Sequence, residues 1–175
     1  MSLLKIIIKT FLLPFRNFKK KILTLYIASS AGQVDGKLVV NGWSKVTSNT
    51  TLGNNVNFNG LRIEGKGSVK IGDNFHSGTE CLLITSFHNY FTSSKIPYDE
   101  TYIHKNIEIE DNVWIGSRVL ILGGVKIGEG AIIQAGSVVV SNIPKYAIAG
   151  GAPAKVFKER DVQHYTKLKE KGLFH

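Results

Sequence analysis

His88 is the residue best placed for chemistry in this sequence of 175 amino acids. It follows Phe87 and opens an aromatic, polar and proline-containing stretch, HNYFTSSKIPYDETYIHKN. An imidazole at the start of a long loop can remove a proton from a bound hydroxyl or amine near neutral pH. The alternative is a surface histidine that is only hydrogen-bonded to its loop. We take His88 as the candidate general base.

The other histidines are weaker candidates: His76, His104, His164 and His175. His104 is placed to line an acceptor pocket, whereas His164 and His175 are expected to be solvated. A zinc site built from His76, His88 and His104 would resemble that of the β-helical carbonic anhydrases, which have a tighter histidine cluster than the gaps of 12 and 16 residues here. We therefore expect no metal.

Cys81 lies six residues after Phe75 and six before Phe87, and side chains at this spacing are expected to point inward. We predict a buried residue that fills space, because structural cysteines behave as small hydrophobic side chains. A nucleophilic role is the weaker alternative. One cysteine excludes a disulfide within the chain, which agrees with a reducing compartment.

A six-residue repeat positions these side chains, and it is clearest from residue 109 to residue 144. Cut into sixes, this stretch reads IEDNVW, IGSRVL, ILGGVK, IGEGAI, IQAGSV and VVSNIP, with an aliphatic residue opening each block. A period of six fits neither an amphipathic helix nor an alternating strand. It fits a solenoid in which each block is one flat side and its first residue packs inward between coils.

Three such sides close a coil. The same period runs less regularly from Val34 to Leu83, stops for the stretch that begins at His88, and resumes in phase at Ile109. A solenoid can extrude a loop, here at about 88–106, without disturbing its stacked core. Glycines near the corners are predicted to supply positive φ angles: Gly116, Gly128 and Gly136.

Two segments carry a resemblance to a known family: DNVWIGSRVLILGGVKIGEGAIIQAGSVV from Asp111 to Val139, and AGGAPAKV from Ala149 to Val156. They resemble the hexapeptide-repeat acyltransferases, in particular the branch of galactoside, maltose, xenobiotic and surface-polysaccharide acetyltransferases. The resemblance covers about residues 34–158. It implies an all-β solenoid, a left-handed parallel β-helix, and a homotrimer that uses acetyl-CoA. The repeat alone does not fix the hand.

The resemblance also implies roles for individual residues. In related enzymes the histidine that opens the extruded loop, here His88, is the general base. The coenzyme lies along the coils between subunits, and the positions that match its contacts are Trp114, Ser117, Ala135, Lys155 and Lys158.

Two features of the sequence leave alternatives for the contacts to the coenzyme. Val140 and Ser141 stand where Thr-Lys is common in the galactoside-type enzymes. This difference removes one expected contact to the coenzyme and leaves open which residues bind its phosphates. Trp114 is expected to point outward, and a subunit interface is its alternative role.

The amino-terminal segment, residues 1–27, has its own pattern. Apolar residues step by four and three along one helical face: Leu4, Ile8, Phe11, Phe15, Phe18, Ile22 and Leu25. Basic residues cluster opposite them: Lys5, Lys9, Arg16 and Lys20. The uncharged runs are too short to span a bilayer, and lysines within the apolar region argue against a signal peptide. Packing on the solenoid or a neighbouring subunit, or peripheral contact with an anionic membrane, both fit this segment.

The formal charge of +9 is concentrated at the start of the chain, because six cations and no acid lie in residues 1–21, leaving +3 for the rest. The basic and aromatic pattern does not recur, so we expect no nucleic-acid partner. With 43% hydrophobic residues, the composition is typical of one compact domain.

We divide the chain into an amphipathic basic helical segment (1–30), a β-helix acyltransferase domain (31–158) and a short carboxy-terminal helix (159–175). Asp161 is a candidate N-cap of that helix, which we predict to cover the last coil.

The sequence thus predicts a cytoplasmic, CoA-dependent acetyltransferase that modifies a hydroxyl or amino group of a sugar in surface-polysaccharide or glycoconjugate synthesis. The acceptor would be a sugar, a nucleotide-sugar or a lipid-linked glycan. An antibiotic or xenobiotic O-acetyltransferase and a non-catalytic solenoid scaffold are the alternatives.

Overall fold

The computed structural model describes the backbone of residues 3–175 and the side chains of residues 15–175. A long helix opens it, Leu3–Ser30 (α1), and a short helix comes near its end, Val162–Glu170 (α2). The strands between them wind into a parallel β-helix of about six coils. The predicted solenoid is therefore confirmed.

The strands form three flat faces, and each of the four middle coils contributes one short strand to every face. Face A consists of Gln33–Val34 (β1), Thr50–Leu52 (β3), Val69–Ile71 (β6), Ile107–Ile109 (β11) and Lys126–Ile127 (β14). Face B consists of Leu38–Val40 (β2), Val56–Phe58 (β4), His76–Ser77 (β7), Trp114–Ile115 (β12), Ile132–Ile133 (β15), Ala147–Gly151 (β17) and the antiparallel edge strand Ala154–Glu159 (β18). Face C consists of Leu61–Glu64 (β5), Cys81–Ile84 (β8), Leu120–Leu122 (β13) and Val138–Val139 (β16).

The chain visits the faces in the order A, B, C, so the prism has three edges, named AB, BC and CA. At the CA edge, after β8, the chain leaves the coil as an antiparallel hairpin of Ser86–His88 (β9) and Tyr102–His104 (β10). The coils resume with β11. The hairpin corresponds to the predicted extruded loop.

Stacked aliphatic side chains fill the interior. On face A, Leu52, Ile71, Ile109 and Ile127 stand in register and are buried. Burying such side chains contributes about 1.5–3 kcal/mol each. The first residue of each block therefore packs between coils, as the repeat predicted.

The glycine prediction is right for Gly136, which has φ +74°, but wrong for Gly116 and Gly128, which lie outside the left-handed region. These two are small because the next coil passes close by. A Cβ atom on Gly116 would lie 2.5 Å from the Ala135 backbone nitrogen, and one on Gly128 would lie 2.5 Å from that of Lys145. Close backbone contact, not positive φ, requires glycine there.

Asparagines occupy the left-handed corners of the AB edge in the second, third and fourth coils. Asn55, Asn74 and Asn112 have φ angles of 58°, 54° and 59°, a conformation that asparagine tolerates better than most residues. Their amides bond one another up the edge, Asn55 Nδ2 to Asn74 Oδ1 and Asn74 Nδ2 to Asn112 Oδ1, each at 3.0 Å. We call these three residues the asparagine ladder.

Helix α1 covers the first coil through its second half. Leu23 and Ile27 are buried in the main hydrophobic core, and the Val40 N–H donates to Thr24 Oγ1 at 3.0 Å. Leu4, Ile8 and Phe11 of the predicted apolar face lie outside the described side chains. The described part of that face does not make this contact, because Phe15 and Phe18 are 68% and 62% exposed. Packing on the solenoid thus uses a different face of the helix.

Helix α2 begins at its predicted N-cap, where the Asp161 carboxylate accepts from the His164 N–H at 3.0 Å. The predicted contact with the last coil is present, since the rings of Tyr165 and Tyr146 lie 5.0 Å apart, but α2 also runs back along the AB edge. Tyr165 is its buried residue, and Tyr165 Oη accepts from Asn112 Nδ2 at 2.8 Å. The chain end reaches the second coil, where the His175 carbonyl accepts from Asn55 Nδ2.

Within the described residues, neither helix combines the length and the apolar character that crossing a bilayer requires.

Candidate active site

Hydrogen bonds hold the hairpin at the CA edge in a defined conformation. Within its tip, the Asp99 carboxylate accepts from the backbone and hydroxyl of Thr101 and of Ser94. Hydrogen bonds from Thr101 and Ser94 hold the pKa of Asp99 far below its usual range. A carboxylate that remains charged at neutral pH therefore fixes the turn between β9 and β10.

His88 lies at the end of β9, directly opposite Tyr102 on β10. Its ring stacks on Tyr98, with centroids 3.7 Å apart and planes 14° apart, and the Tyr102 ring is 4.3 Å away. Two aromatic rings thus fix the plane of the imidazole. Its Nδ1 atom is buried and has no hydrogen-bond partner among the described residues.

An unpartnered buried nitrogen is costly, and such groups in native structures usually find a partner in water, a ligand or another chain. The His88 ring is therefore oriented by stacking, with polar capacity left for a group from outside this chain. This arrangement can hold a base that receives a proton from a bound molecule.

The neighbouring histidine on the hairpin has a partner. His104 Nδ1 lies 2.7 Å from Ser86 Oγ, which also accepts from the Lys66 N–H at 2.8 Å. His104 is exposed. The bond from Lys66 ties the base of the hairpin to the CA edge, and His104 Nδ1 has a partner that His88 Nδ1 lacks among the described residues.

His76 lies apart from both, on face B. Its ring meets that of His175 edge to face, with centroids 4.7 Å apart, and burial together with His175 lowers the pKa of His76. Among the residues that the structure describes, no three histidine, cysteine, aspartate or glutamate side chains gather as metal ligands. The histidines named as a potential zinc set are therefore divided between two places.

Cys81 is buried, at 2% exposure, with its Sγ 3.2 Å from the Gly116 carbonyl oxygen. Burial raises the pKa of its thiol, which disfavours the thiolate that a nucleophile needs. The predicted burial is confirmed.

Trp114 points outward from face B, with 53% of the residue exposed. It stands in register with Ile132, Ile132 with Ile148, and Ile148 with Lys158 on β18. Residues in direct register point to the same side of a sheet. Trp114 and Lys158 therefore share one column across the outer surface of face B, about 14 Å apart at about 4.8 Å per strand.

A β-bulge adds Lys155 to the same surface. Lys155 pairs with Gly150 and Lys158 pairs with Ile148, and the register shifts between Ile148 and Ala149. Since Ile148 and Gly150 are two residues apart in one strand, their partners lie on the same side despite an odd spacing. The two exposed lysines thus form one cationic patch at the edge of face B.

Ser117 and Ala135 lie on successive coils at the BC edge, next to Trp114. Ser117 Oγ accepts from Thr79 N at 3.1 Å and from Thr79 Oγ1 at 3.2 Å, and Ala135 is exposed. The missing side chain of Gly116 lets the two coils approach here. Face B and its BC edge therefore bring together the five residues predicted to contact the coenzyme.

The structure does not bring His88 to them. His88 projects from the CA edge, whereas Ser117 and Ala135 line the BC edge at the other side of face C. One chain by itself thus holds the two halves of the predicted site at separate edges.

Two cavities flank the coenzyme candidates. One, of about 450 Å³, lies beside Trp114 under the carboxy-terminal segment and includes His76, Arg160 and Phe174 in its lining. The other, of about 440 Å³, opens on the BC edge in coils closer to α1, lined by Trp43, Asn59, Gly60, Leu61, Arg62, Thr79, Glu80, Cys81 and Leu82. Thr79 connects the second cavity directly to Ser117.

Sequence reasoning missed Tyr98 and Tyr102 as partners of His88. Both lie in the stretch without a repeat, where no period indicates which side chains meet. An alternating pattern around β10 was a weak signal, since Tyr102 and His104 fall on one side of a two-residue period. The Trp43 cavity had no signal in the sequence.

Comparison with known proteins matches residues 106–141 to the family described as bacterial transferase hexapeptide (six repeats). Galactoside O-acetyltransferase of Escherichia coli K12 is 38% identical over 125 residues, covering 69% of this chain and 60% of that protein. The chain thus spans less than two thirds of that relative's length.

Two solved structures share the fold. A galactoside acetyltransferase in complex with coenzyme A has a TM-score of 0.64 and 28% identity, covering 87% of this chain and 84% of that one. A hexapeptide-repeat acetyltransferase of Vibrio cholerae, complexed with acetyl coenzyme A, has a TM-score of 0.66 and 26% identity, covering 77% and 74%. With its repeat, its coils and these relatives, the chain belongs to the hexapeptide-repeat transferase family.

Proposed function

We propose that this protein is an acetyl-CoA-dependent acetyltransferase that transfers an acetyl group to a hydroxyl or amino group of a sugar. The observation that carries the proposal is the match of 87% of the chain to a galactoside acetyltransferase that binds coenzyme A. The E. coli relative acts, by its name, on galactosides. Surface-polysaccharide or glycoconjugate synthesis is the setting that we infer for such a reaction.

The coenzyme would lie along face B. Lys155 and Lys158 offer cations for its phosphates, Trp114 offers an aromatic face for the pantetheine, and the BC edge places Ser117 and the Ala135 backbone near the thioester. Lysine is a common phosphate partner because its charge needs no fixed geometry. The distance of about 14 Å from Trp114 to Lys158 leaves room for an extended coenzyme arm.

A second copy of the chain would complete the site. His88 and the coenzyme residues occupy different edges, and the buried Nδ1 of His88 lacks a partner among the described residues. In a cyclic trimer, the CA edge of one subunit faces a neighbour through a repeated head-to-tail contact. We infer a homotrimer in which His88 of one subunit serves the coenzyme held on the next.

The acceptor would occupy the cavity of about 440 Å³ on the BC edge. Trp43, 71% exposed, offers a flat ring on which a sugar can stack. Asn59, Arg62 and Glu80 supply donors and acceptors for hydroxyl groups. The Thr79–Ser117 hydrogen bond connects this cavity to the proposed thioester position.

The reaction is a direct transfer. His88 removes the proton from the acceptor hydroxyl or amine, and the freed electron pair forms a bond to the thioester carbonyl carbon. Backbone N–H groups or a hydroxyl at the BC edge would stabilise the oxyanion of the tetrahedral intermediate. The carbon–sulfur bond then breaks, the CoA sulfur takes a proton, and acetylated sugar and CoA leave.

We place this reaction in the cytoplasm, where acetyl-CoA is available, and at the inner face of the membrane if residues 1–27 engage it.

Isothermal titration with acetyl-CoA and then with CoA tests the first step. One site per chain with micromolar affinity is expected, followed by acetyl transfer to galactosides, nucleotide-sugars or lipid-linked glycans. Absence of binding by the folded protein would overturn the proposal in favour of a scaffold. Transfer to antibiotics but to none of the sugars would show that the acceptor is an antibiotic and not a sugar.

Mixed trimers test the shared site. His88→Ala and Trp114→Ala chains are each expected to be nearly inactive. Coexpressed in equal amounts, they should recover about a quarter of wild-type turnover, since each site takes the two residues from different subunits. Lack of recovery, with mixed trimers confirmed by mass spectrometry, would contradict the proposed sharing.

A further inference from the structure

Helix α1 presents a row of large apolar side chains to solvent. Phe15, Phe18, Ile22 and Leu25 are 68%, 62%, 49% and 60% exposed. Spacings of three, four and three residues align them on one side of the helix, and we call these four residues the apolar stripe. Contiguous exposed apolar surface of this kind marks a site of interaction.

The stripe is not the side of the helix that packs on the protein. Leu23 and Ile27 make that contact, and at about 100° per residue they lie about 140° around the helix from the centre of the stripe. Since Leu23 and Ile27 face the first coil, the stripe faces away from the stack. Folding of the single chain thus leaves it uncovered.

Basic residues border the stripe. Lys19 and Lys21 each lie about 40° beyond one of its two sides, and both are exposed. Arg16 and Lys20 add positive charge elsewhere on this part of the helix. No acidic residue occurs between residues 1 and 21, so the local field is positive throughout.

We propose that α1 docks this protein on an anionic lipid surface, with the apolar stripe inserted between headgroups and the lysines bound to their phosphates. An amphipathic helix with aromatic and aliphatic residues on one side and lysines at the margin lies in the plane of such an interface. Positive charge alone would fit any anionic partner, whereas the stripe also requires an apolar phase. The inference deepens the proposed function, because it places a lipid-linked acceptor within reach of the site.

Cosedimentation of the full chain with vesicles tests this inference. We expect binding to vesicles containing phosphatidylglycerol and little binding to pure phosphatidylcholine. A Phe15→Ser, Phe18→Ser, Ile22→Ser variant, which keeps Leu23 and Ile27, should abolish binding. A Lys19→Gln, Lys21→Gln variant should weaken it about 30-fold and reduce its salt dependence. Val162→Ser, an exposed apolar position outside α1, is the matched control and should bind as wild type does.

Two results would overturn the inference. One is failure of the wild type to bind anionic vesicles. The other is a serine variant that loses its oligomeric state in ultracentrifugation while vesicle binding does not differ between the variant and the wild type. The stripe would then be a contact between copies of the chain. Titration with acetyl-CoA in the absence of lipid separates either failure from failure of the proposed acetyl transfer.

Discussion

The AB and CA edges of the same prism use polar side chains in opposite ways. On the AB edge, the amides of the asparagine ladder bond one another, and Tyr165 Oη joins Asn112 to Glu129. On the CA edge, the hairpin holds His88 against two aromatic rings, and its buried Nδ1 is unpartnered among the described residues. A satisfied polar network rigidifies the structure around it, whereas an unpartnered buried nitrogen has capacity for a group from outside the chain, so we propose a structural role for the asparagine ladder and a catalytic role for His88.

The largest expected effect concerns the CA edge. His88→Ala should lower turnover by about 10² to 10⁴ with CoA affinity retained, because it removes the proposed base and leaves the proposed coenzyme residues in place. Steady-state kinetics and titration with CoA measure the two quantities. His104→Ala on the same hairpin is the control, with a much smaller loss expected. Unchanged turnover in His88→Ala would remove His88 as base.

The AB edge should show the reverse pattern. Tyr165→Phe removes the hydroxyl between Asn112 and Glu129, and it should lower the free energy of unfolding by about 1–3 kcal/mol, since both groups lose a partner. Urea denaturation measures this, with Tyr90→Phe on the exposed hairpin as control. Turnover at a temperature where the variant is folded should be unchanged. A large loss of turnover in the folded variant would contradict the division between the edges.

The smallest expected effect is on the stability of the protein at low pH. Burial raises the pKa of Glu129, but hydrogen bonds from Lys169 and Tyr165 outweigh it, so the pKa lies below the ordinary 4.5. The folded state then binds the proton less readily than the unfolded state. The stability that Glu129 contributes is complete above about pH 4.5 and is lost as the pH falls through the folded-state pKa.

Glu129→Gln should therefore flatten the loss of stability in acid, by less than about 1 kcal/mol, in urea denaturation at a series of pH values. Glu170→Gln at the exposed end of α2 is the control and should keep the wild-type slope. An identical slope in both variants would show that other carboxylates govern acid unfolding.

The sequence predicted the solenoid because each block carries one inward aliphatic residue, a signal repeated on every coil. It located the hairpin as the place where this signal stops. It did not predict the partners of His88, because Tyr98 and Tyr102 meet it through loop geometry that no period encodes. The residues expected to contact the coenzyme gather on face B and the BC edge, where the repeat fixes the direction of Trp114, Ser117 and Ala135 and a β-bulge sets that of the two lysines. Their roles remain predictions.

The predictions that were wrong concern sequence patterns that two different local structures can satisfy. An apolar helical face was equally compatible with packing or exposure, and the buried pair Leu23 and Ile27 lies on a less conspicuous side of α1. Gly116 and Gly128 looked like corner residues, but the tight approach of the next coil explains them. The position of α2 depends on Tyr165 meeting Asn112, a contact across 53 residues of sequence.

The course of the carboxy-terminal segment has a consequence for how the molecule comes apart. In a solenoid each repeat contacts only its neighbours, so unfolding can begin at an end and proceed coil by coil. Here one segment holds Glu129 in the fifth coil through Tyr165 and Asn55 in the second through the His175 carbonyl. Such a brace links coils that do not touch, and we expect it to make the coils unfold together instead of one by one.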